Sequence, residues 1–154
     1  MKIRSGLPDD LSQLTQVALN AIAGSGYSIE QKEMWSRTFT DEDLGHILHE
    51  DVVIVVEIDG VAAGFASLTD QGDTAGNLNL LYVDPKFSRW GVGKRLVRAI
   101  EDEALRLGMT ALWVDASEPA VHRLLQLGYR PHEKNIKVIE SVTFENTWMR
   151  KMFL

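Results

Sequence analysis

The residues most able to do chemistry lie between positions 80 and 96, LLYVDPKFSRWGVGKRL. Lys86 and Arg89 make a cationic loop, Gly91-Val92-Gly93 follows, and Lys94 and Arg95 come next. Apolar residues at Val92, Leu96, Val97, Ile100, Ala104 and Leu107 keep a helical period, which puts both cations in the first turn of an amphipathic helix. There they oppose the positive end of the macrodipole, at a cost of roughly 0.3–1 kcal/mol each, so an anion is expected beside them. Glycines let a ligand approach the backbone, and first-turn N–H groups have no partner within the helix, so the stretch suits phosphate or pyrophosphate. A helix start relaxed by glycine, with its lysines in water, fits the same residues. A second candidate is Asp115, a carboxylate closing the apolar run 110–115 and equally a turn or cap residue before Ser117.

The elements that must position these groups follow from pattern and punctuation. Residues 2–5 read as a short strand, and Pro8, Asp9 and Asp10 open a helix with apolar positions Leu11, Leu14, Val17, Ala18, Ala21 and Ile22. Gly24 and Gly26 break it, and Ser28 with Gln31 makes a capping box for a second helix toward Trp35 and Arg37. Residues 40–50 form a short acidic helix capped by Thr40 or Asp41. His46 and His49 share one of its faces, yet their spacing matches no metal signature, and no metal is expected. Residues 52–58 and 61–68 are strands joined by the hairpin signal Asp59-Gly60, and Gly64 marks a bulge or a close backbone approach. A polar turn over 70–76 leads into strand 77–83, which Asp84 and Pro85 stop. Strand 110–115 lies parallel to it after the helix crossover. A helix from Ser117 carries Val121, Leu124 and Leu125 inward and ends at Gly128, before a terminal hairpin of residues 133–139 and 142–152.

Composition narrows the classes. One domain is expected from 154 residues that are 45% hydrophobic. A net charge of −6 argues against a nucleic-acid surface and favours a cationic partner. The absence of cysteine excludes disulfides, thiolate metal sites and a cysteine nucleophile. No apolar run approaches the roughly 18 residues of a membrane span, and no signal-peptide pattern opens the chain, so a cytoplasmic protein without membrane contact is expected, as monomer or homodimer.

The order of strand, V-x-P, basic loop and x-x-G-x-G at a helix start resembles the acyl-CoA-binding motif of the GNAT superfamily of N-acetyltransferases, Q/R-x-x-G-x-G/A, with Ser88 at the Gln/Arg position. The helix ending in Gly128-Tyr129 is similar to that family's second motif. The resemblance implies an α+β fold, an α/β/α sandwich around a mixed, mostly antiparallel sheet of about six to seven strands. It implies acetyl-CoA as cosubstrate, a small-molecule or peptide amine as acceptor, and strands 77–83 and 110–115 splayed apart to admit the pantetheine. It assigns cofactor contacts to Leu81, Tyr82, Val83, Ser88, Arg89, Trp90, Gly91, Val92, Gly93, Lys94, Arg95 and Leu124, and acceptor contacts to Tyr27 and Trp35. By size and type the last two fit packing as well.

Asn77 and Asn79 stand where many relatives have a carboxylate, which leaves Asp115 as the candidate base, ahead of His122 and Glu57. Leu124 stands where many carry a tyrosine acid, so the thiolate leaves into water or Tyr82 or Tyr129 substitutes. Two other readings use the same residues. A dinucleotide-binding fold would explain Gly91-x-Gly93 and Asp115, but its third glycine is Leu96, and a DG hairpin does not open a doubly wound sheet. An acyl-CoA-binding sensor would keep the glycine-lined phosphate cradle of residues 88–95 without turnover.

Overall fold

In the computed structural model, which describes residues 1–153, Asp59 and Gly60 both take positive φ, 52° and 77°. That turn matches the twist of a hairpin and joins β2 (Val52–Ile58) to β3 (Val61–Gly72). The next turn is of the same kind but carries no glycine at its tip: Asp73 and Thr74 have φ of 52° and 61°. The polar stretch 70–76 is therefore mostly strand, with β3 running to Gly72 and β4 (Ala75–Val83) starting three residues later. The edge strand β1 (Lys2–Ser5) pairs with β2. After helix α4 (Val92–Arg106) comes β5 (Ala111–Ala116), parallel to β4, and every other pairing is antiparallel. The final hairpin, β6 (Arg130–Ile139) and β7 (Val142–Met152), turns at Glu140 and Ser141, again both at positive φ. β7 inserts between β5 and β6, giving the order β1-β2-β3-β4-β5-β7-β6 and an α+β fold.

Helices cover both faces. On one, α1 (Leu11–Ala23) and α3 (Asp41–Glu50) bury Leu14, Val17, Leu44 and Leu48 against Val53, Val55 and Phe65, and α2 (Ile29–Thr38) lies against β7. The Ser28 and Gln31 capping box forms at 3.1 and 3.0 Å, and the Thr40 hydroxyl accepts from Asp43 N–H. On the other face, α4 buries Val92, Leu96, Val97, Ile100 and Ala104, with α5 (Glu118–Gln126) contributing Leu124. Two expected inward residues point out. Leu107 follows the last helical residue of α4 and is exposed, and Leu125 is exposed at the cleft between α5 and the last hairpin. Among the described residues, no helix is long and apolar enough to cross a membrane.

Two packing details carry weight. Gly64 lies beside the bulge where β2 and β3 shift register after Val56, and a Cβ there would stand 2.8 Å from Tyr82 O and 2.9 Å from Val92 Cγ1. The start of α4 therefore rests directly on the β3 backbone. Tyr129 is fully buried and its hydroxyl donates to Glu101 Oε2 at 2.8 Å. Lys151 Nζ donates to both oxygens of the same carboxylate and to Leu127 O, at 2.9–3.2 Å. Burial, then the adjacent Glu101 charge, pushes the Tyr129 phenol far above its ordinary value.

Gly64→Ala should destabilise the fold by about 1–3 kcal/mol, because backbone and helix must shift to admit one methyl group. Urea unfolding will show it as a lower midpoint at unchanged slope. Tyr129 adds a pH signature: its folded pKa is raised, so its contribution is complete below the unfolded value of about 10 and is lost as pH climbs above it. Unfolding midpoints should fall between pH 10 and 11.5, and Tyr129→Phe should flatten that slope.

Candidate active site

β4 and β5 pair over only three residues, Ala75 with Ala111, Gly76 with Leu112 and Asn77 with Trp113. Beyond them the two strands have no mutual pairing, although β3 stays with β4 and β7 with β5. A bulge helps to part them. Ser67 pairs with Leu80 and Leu68 with Leu78, leaving Asn79 as the extra residue, and the buried Ser67 hydroxyl accepts from Leu80 N–H at 3.1 Å. The sheet thus opens into a V whose arms carry Leu80–Val83 on one side and Asp115 on the other.

The cationic loop and α4 lie where β4 ends. Asp84 is buried, donates its N–H to Ala63 O, and accepts from Lys86 N–H and from Asn20 Nδ2 at 3.0 Å, which ties the loop to α1. A 3-10 turn, Pro85–Phe87, then brings Ser88, Arg89 and Trp90 to the surface. Gly91 is the N-cap in left-handed conformation, φ 71°, a strained position for any other residue type. The first helical bond runs from Arg95 N–H to Gly91 O, so the N–H groups of residues 91–94 are left for another partner. Lys94 and Arg95 are exposed beside them.

On the α1–α3 face, the rings of Tyr27, Trp35 and Phe144 form a triad with centroids 5.6–5.7 Å apart. Trp35 Nε1 donates to the Tyr82 hydroxyl at 2.9 Å. Burial pushes the Tyr82 phenol up to about 12, against a smaller opposing effect of that bond. Burial likewise raises Tyr27, whose hydroxyl lies beside Ser117 but completes no hydrogen bond of good geometry. Asp115 shares this face, since Leu112, Val114 and Ala116 point to α4 and α5. Its Oδ2 pairs with Lys137 Nζ, while its Oδ1 is buried without a partner. Asn77 Oδ1 and Asn146 Oδ1 are also buried and unpartnered, on residues 8% and 2% exposed.

The structure thus brings Leu81, Tyr82, Val83 and Asp115 to the two arms of the V, the segment 88–95 to its end, and Tyr27 and Trp35 over one face. It does not bring Tyr129 there: its hydroxyl is committed to Glu101 within the core. Leu124 is 2% exposed and packed among core residues. Glu57 is bound to Arg4 on the β1 edge, and His122 is exposed on α5. Sequence reasoning missed Lys137, Phe144 and Asn146. The alternation of the last hairpin sets Lys137 beside Phe144 on one face, but only the insertion of β7 next to β5 carries that face to Asp115.

Two concavities lie elsewhere. One of about 550 Å³, lined by Asp51, Asp70, Thr74 and Gly108, sits at the opposite end of β3 and β4. Burial, reinforced by Glu50, raises the Asp51 carboxyl there. A smaller one, about 250 Å³, separates α5 from β6 and β7 near His122 and Lys134. Neither meets the parted strands or the helix N-terminus. Among the described residues no group of three or more His, Asp or Glu is arranged to hold a metal ion.

No curated protein matches this sequence significantly. Solved structures do. A GCN5-related N-acetyltransferase from Rhodopseudomonas palustris superposes with a TM-score of 0.91 at 28% identity, over 99% of this chain and 95% of that one. The PaiA N-acetyltransferase of Thermoplasma acidophilum, solved in complex with coenzyme A, gives 0.82 at 20% identity over 99% and 98%. YncA from Salmonella typhimurium, solved with its cofactor acetyl-CoA, gives 0.79 at 21% over 100% and 94%. The acetyltransferase (GNAT) family profile matches residues 17–129, from within α1 through both parted strands and the cradle to Tyr129. That span holds most of the architecture described above, and the chain belongs to the GNAT family of N-acetyltransferases.

Proposed function

We propose that this protein transfers an acetyl group from acetyl-CoA to an amine acceptor by direct attack in a ternary complex. The observation that carries the reading is the meeting of the unpaired edges of β4 and β5 with the glycine-lined N-terminus of α4. The residues fit a pyrophosphate on this chain's own geometry. Gly93 has helical backbone, and a Cβ there would meet only Val83 Cγ2, at 3.7 Å, so packing within the chain does not require glycine. An anion lying against the N–H groups of residues 91–94 would.

In this reading the backbone from Ser88 through Gly93 takes the phosphates, with Val92 anchoring the helix start and Arg89, Lys94 and Arg95 supplying charge. Trp90 flanks the loop. Leu81, Tyr82 and Val83 align the pantetheine along the free edge of β4, where a backbone N–H polarises the carbonyl, and Tyr27 and Trp35 wall the acceptor side. When bound, acetyl-CoA supplies an activated thioester, so no covalent link to the protein is needed. The chain's own task is to orient the two reactants and manage protons. An alkylamine of pKa about 10.4 arrives protonated, and Asp115 accepts that proton through its unpartnered Oδ1. A thiolate of pKa about 8.5 departs into water, since Tyr129 is engaged in the core and burial makes the Tyr82 phenol a weaker acid.

Gly93→Val should weaken acetyl-CoA binding at least tenfold in calorimetric titration while the melting profile stays near wild type. An unchanged affinity would remove the cradle from this account. Thiol release with a working amine should rise from pH 6 and level off by pH 10, and Tyr82→Phe should keep kcat within a few-fold. A bell-shaped profile whose alkaline limb disappears in Tyr82→Phe would identify Tyr82 as the acid instead.

A further inference from the structure

Two lysines of the last hairpin make ion pairs, and they differ. Lys151 is locked in place: its ammonium spends three hydrogen bonds on Glu101 and Leu127 O, and Tyr129 completes the carboxylate. Lys137 has a single partner, Asp115 Oδ2, and its side chain is 44% exposed. It reaches that partner from β6, across the whole width of β7, over the face that carries Phe144. Only the lysine end of the pair is open, since the Asp115 side chain is 16% exposed, so a cation arriving from solvent must compete with Lys137 for the carboxylate.

The surroundings of Asp115 are unfinished in the complementary sense. Its Oδ1 is buried with no donor, and so are Tyr27 Oη, Asn77 Oδ1 and Asn146 Oδ1 on the same face. Asn77 and Asn146 are more than nine-tenths buried. In strand register Asn77 lies diagonal to Asp115 across β4 and β5, and Asn146 diagonal to it across β5 and β7. Such neighbours stand about 7–8 Å apart. Buried acceptors without donors are rare in finished sites, and here they flank a carboxylate at the mouth of the parted strands. What Asp115 Oδ1 lacks is an N–H donor, and an ammonium supplies one there.

We propose that Lys137 occupies the seat of the acceptor's ammonium, and that the acceptor is a linear primary alkylamine with a chain like the lysine stem, entering over Phe144 to displace it. The proposal rests on the acetyl-transfer reading and adds to it the substrate class and an internal competitor. Lys137 then sets how much acceptor is needed, since each binding event must first break its pair with Asp115.

The test uses n-butylammonium as probe, titrated calorimetrically at fixed ionic strength into wild type, Lys137→Met and Lys137→Gln. Both variants change one side chain on an exposed edge strand, and circular dichroism melts will verify that they fold. Removing the competitor should tighten binding at least fivefold in both. Adding Asp115→Asn to Lys137→Met should abolish the gain. Equal or weaker binding in the two single variants, or a gain that survives loss of the Asp115 charge, would overturn the proposal. Acetyl-CoA is titrated into the same proteins in parallel. Failure of wild type to bind it would count against the acetyl-transfer reading, while the butylammonium series would still decide the seat of the amine.

Discussion

A strand that loses its neighbour halfway along a sheet must find something else for its backbone, because buried peptide groups are rarely left unpaired. That constraint governs this molecule. β4 and β5 part after Asn77 and Trp113, and no later segment of the described chain pairs with the exposed edges between them. The opening is built in: the extra residue Asn79, pinned through Leu80 N–H and the Ser67 hydroxyl, breaks the register of β4 where the gap begins. The features of the site follow as ways to furnish the gap. α4 starts at its end with four free N–H groups, the aromatic triad closes one face, and Asp115 stands on the far arm.

Two tethers keep this furniture in position. Gly64 lets the first turn of α4 sit against β3 at distances no side chain would allow, so the free N–H groups are fixed relative to the sheet. Asp84 holds the intervening loop through Asn20 of α1 and Lys86 N–H. The cations that follow are unfavourable for the isolated helix and sit on a chain of net charge −6. A stability argument would remove them, and a binding argument keeps them.

Much of this was legible in the sequence, for identifiable reasons. Where one residue type has one physical use, the reading held: Asp59-Gly60 for a two-residue hairpin, Ser28 with Gln31 for a capping box, Gly64 for close approach. It failed where the structure asks an ordinary residue to do a glycine's work. Thr74 and Ser141 take positive φ with nothing in their chemistry to announce it, so the sequence pattern spreads over 70–76 a turn that Asp73 and Thr74 make alone. Spacing also overreached at helix ends, where Leu107 and Leu125 keep the apolar period but face water. The surroundings of Asp115, the proposed base, are half legible. Asp115 could be picked out as a carboxylate at a strand end, but its lysine depends on β7 lying between β5 and β6, which no local pattern encodes. Tyr129 illustrates the converse, a hydroxyl suited to proton transfer that the core uses to hold Glu101.

The place of β7 also bears on how the protein is made. β1 to β4 and the helices over them are consecutive in the chain and can assemble as they emerge from the ribosome, since folding during synthesis runs from the N-terminal side. The other half of the sheet cannot. β5 has three paired residues on one side and β6 has no partner until residues 142–152 slide between them. Until that strand arrives, Asp115, Lys137 and the apolar side of α5 are held only by local contacts. The N-terminus of α4 can therefore form before the Asp115 side of the sheet, which is complete only once β7 lies between β5 and β6.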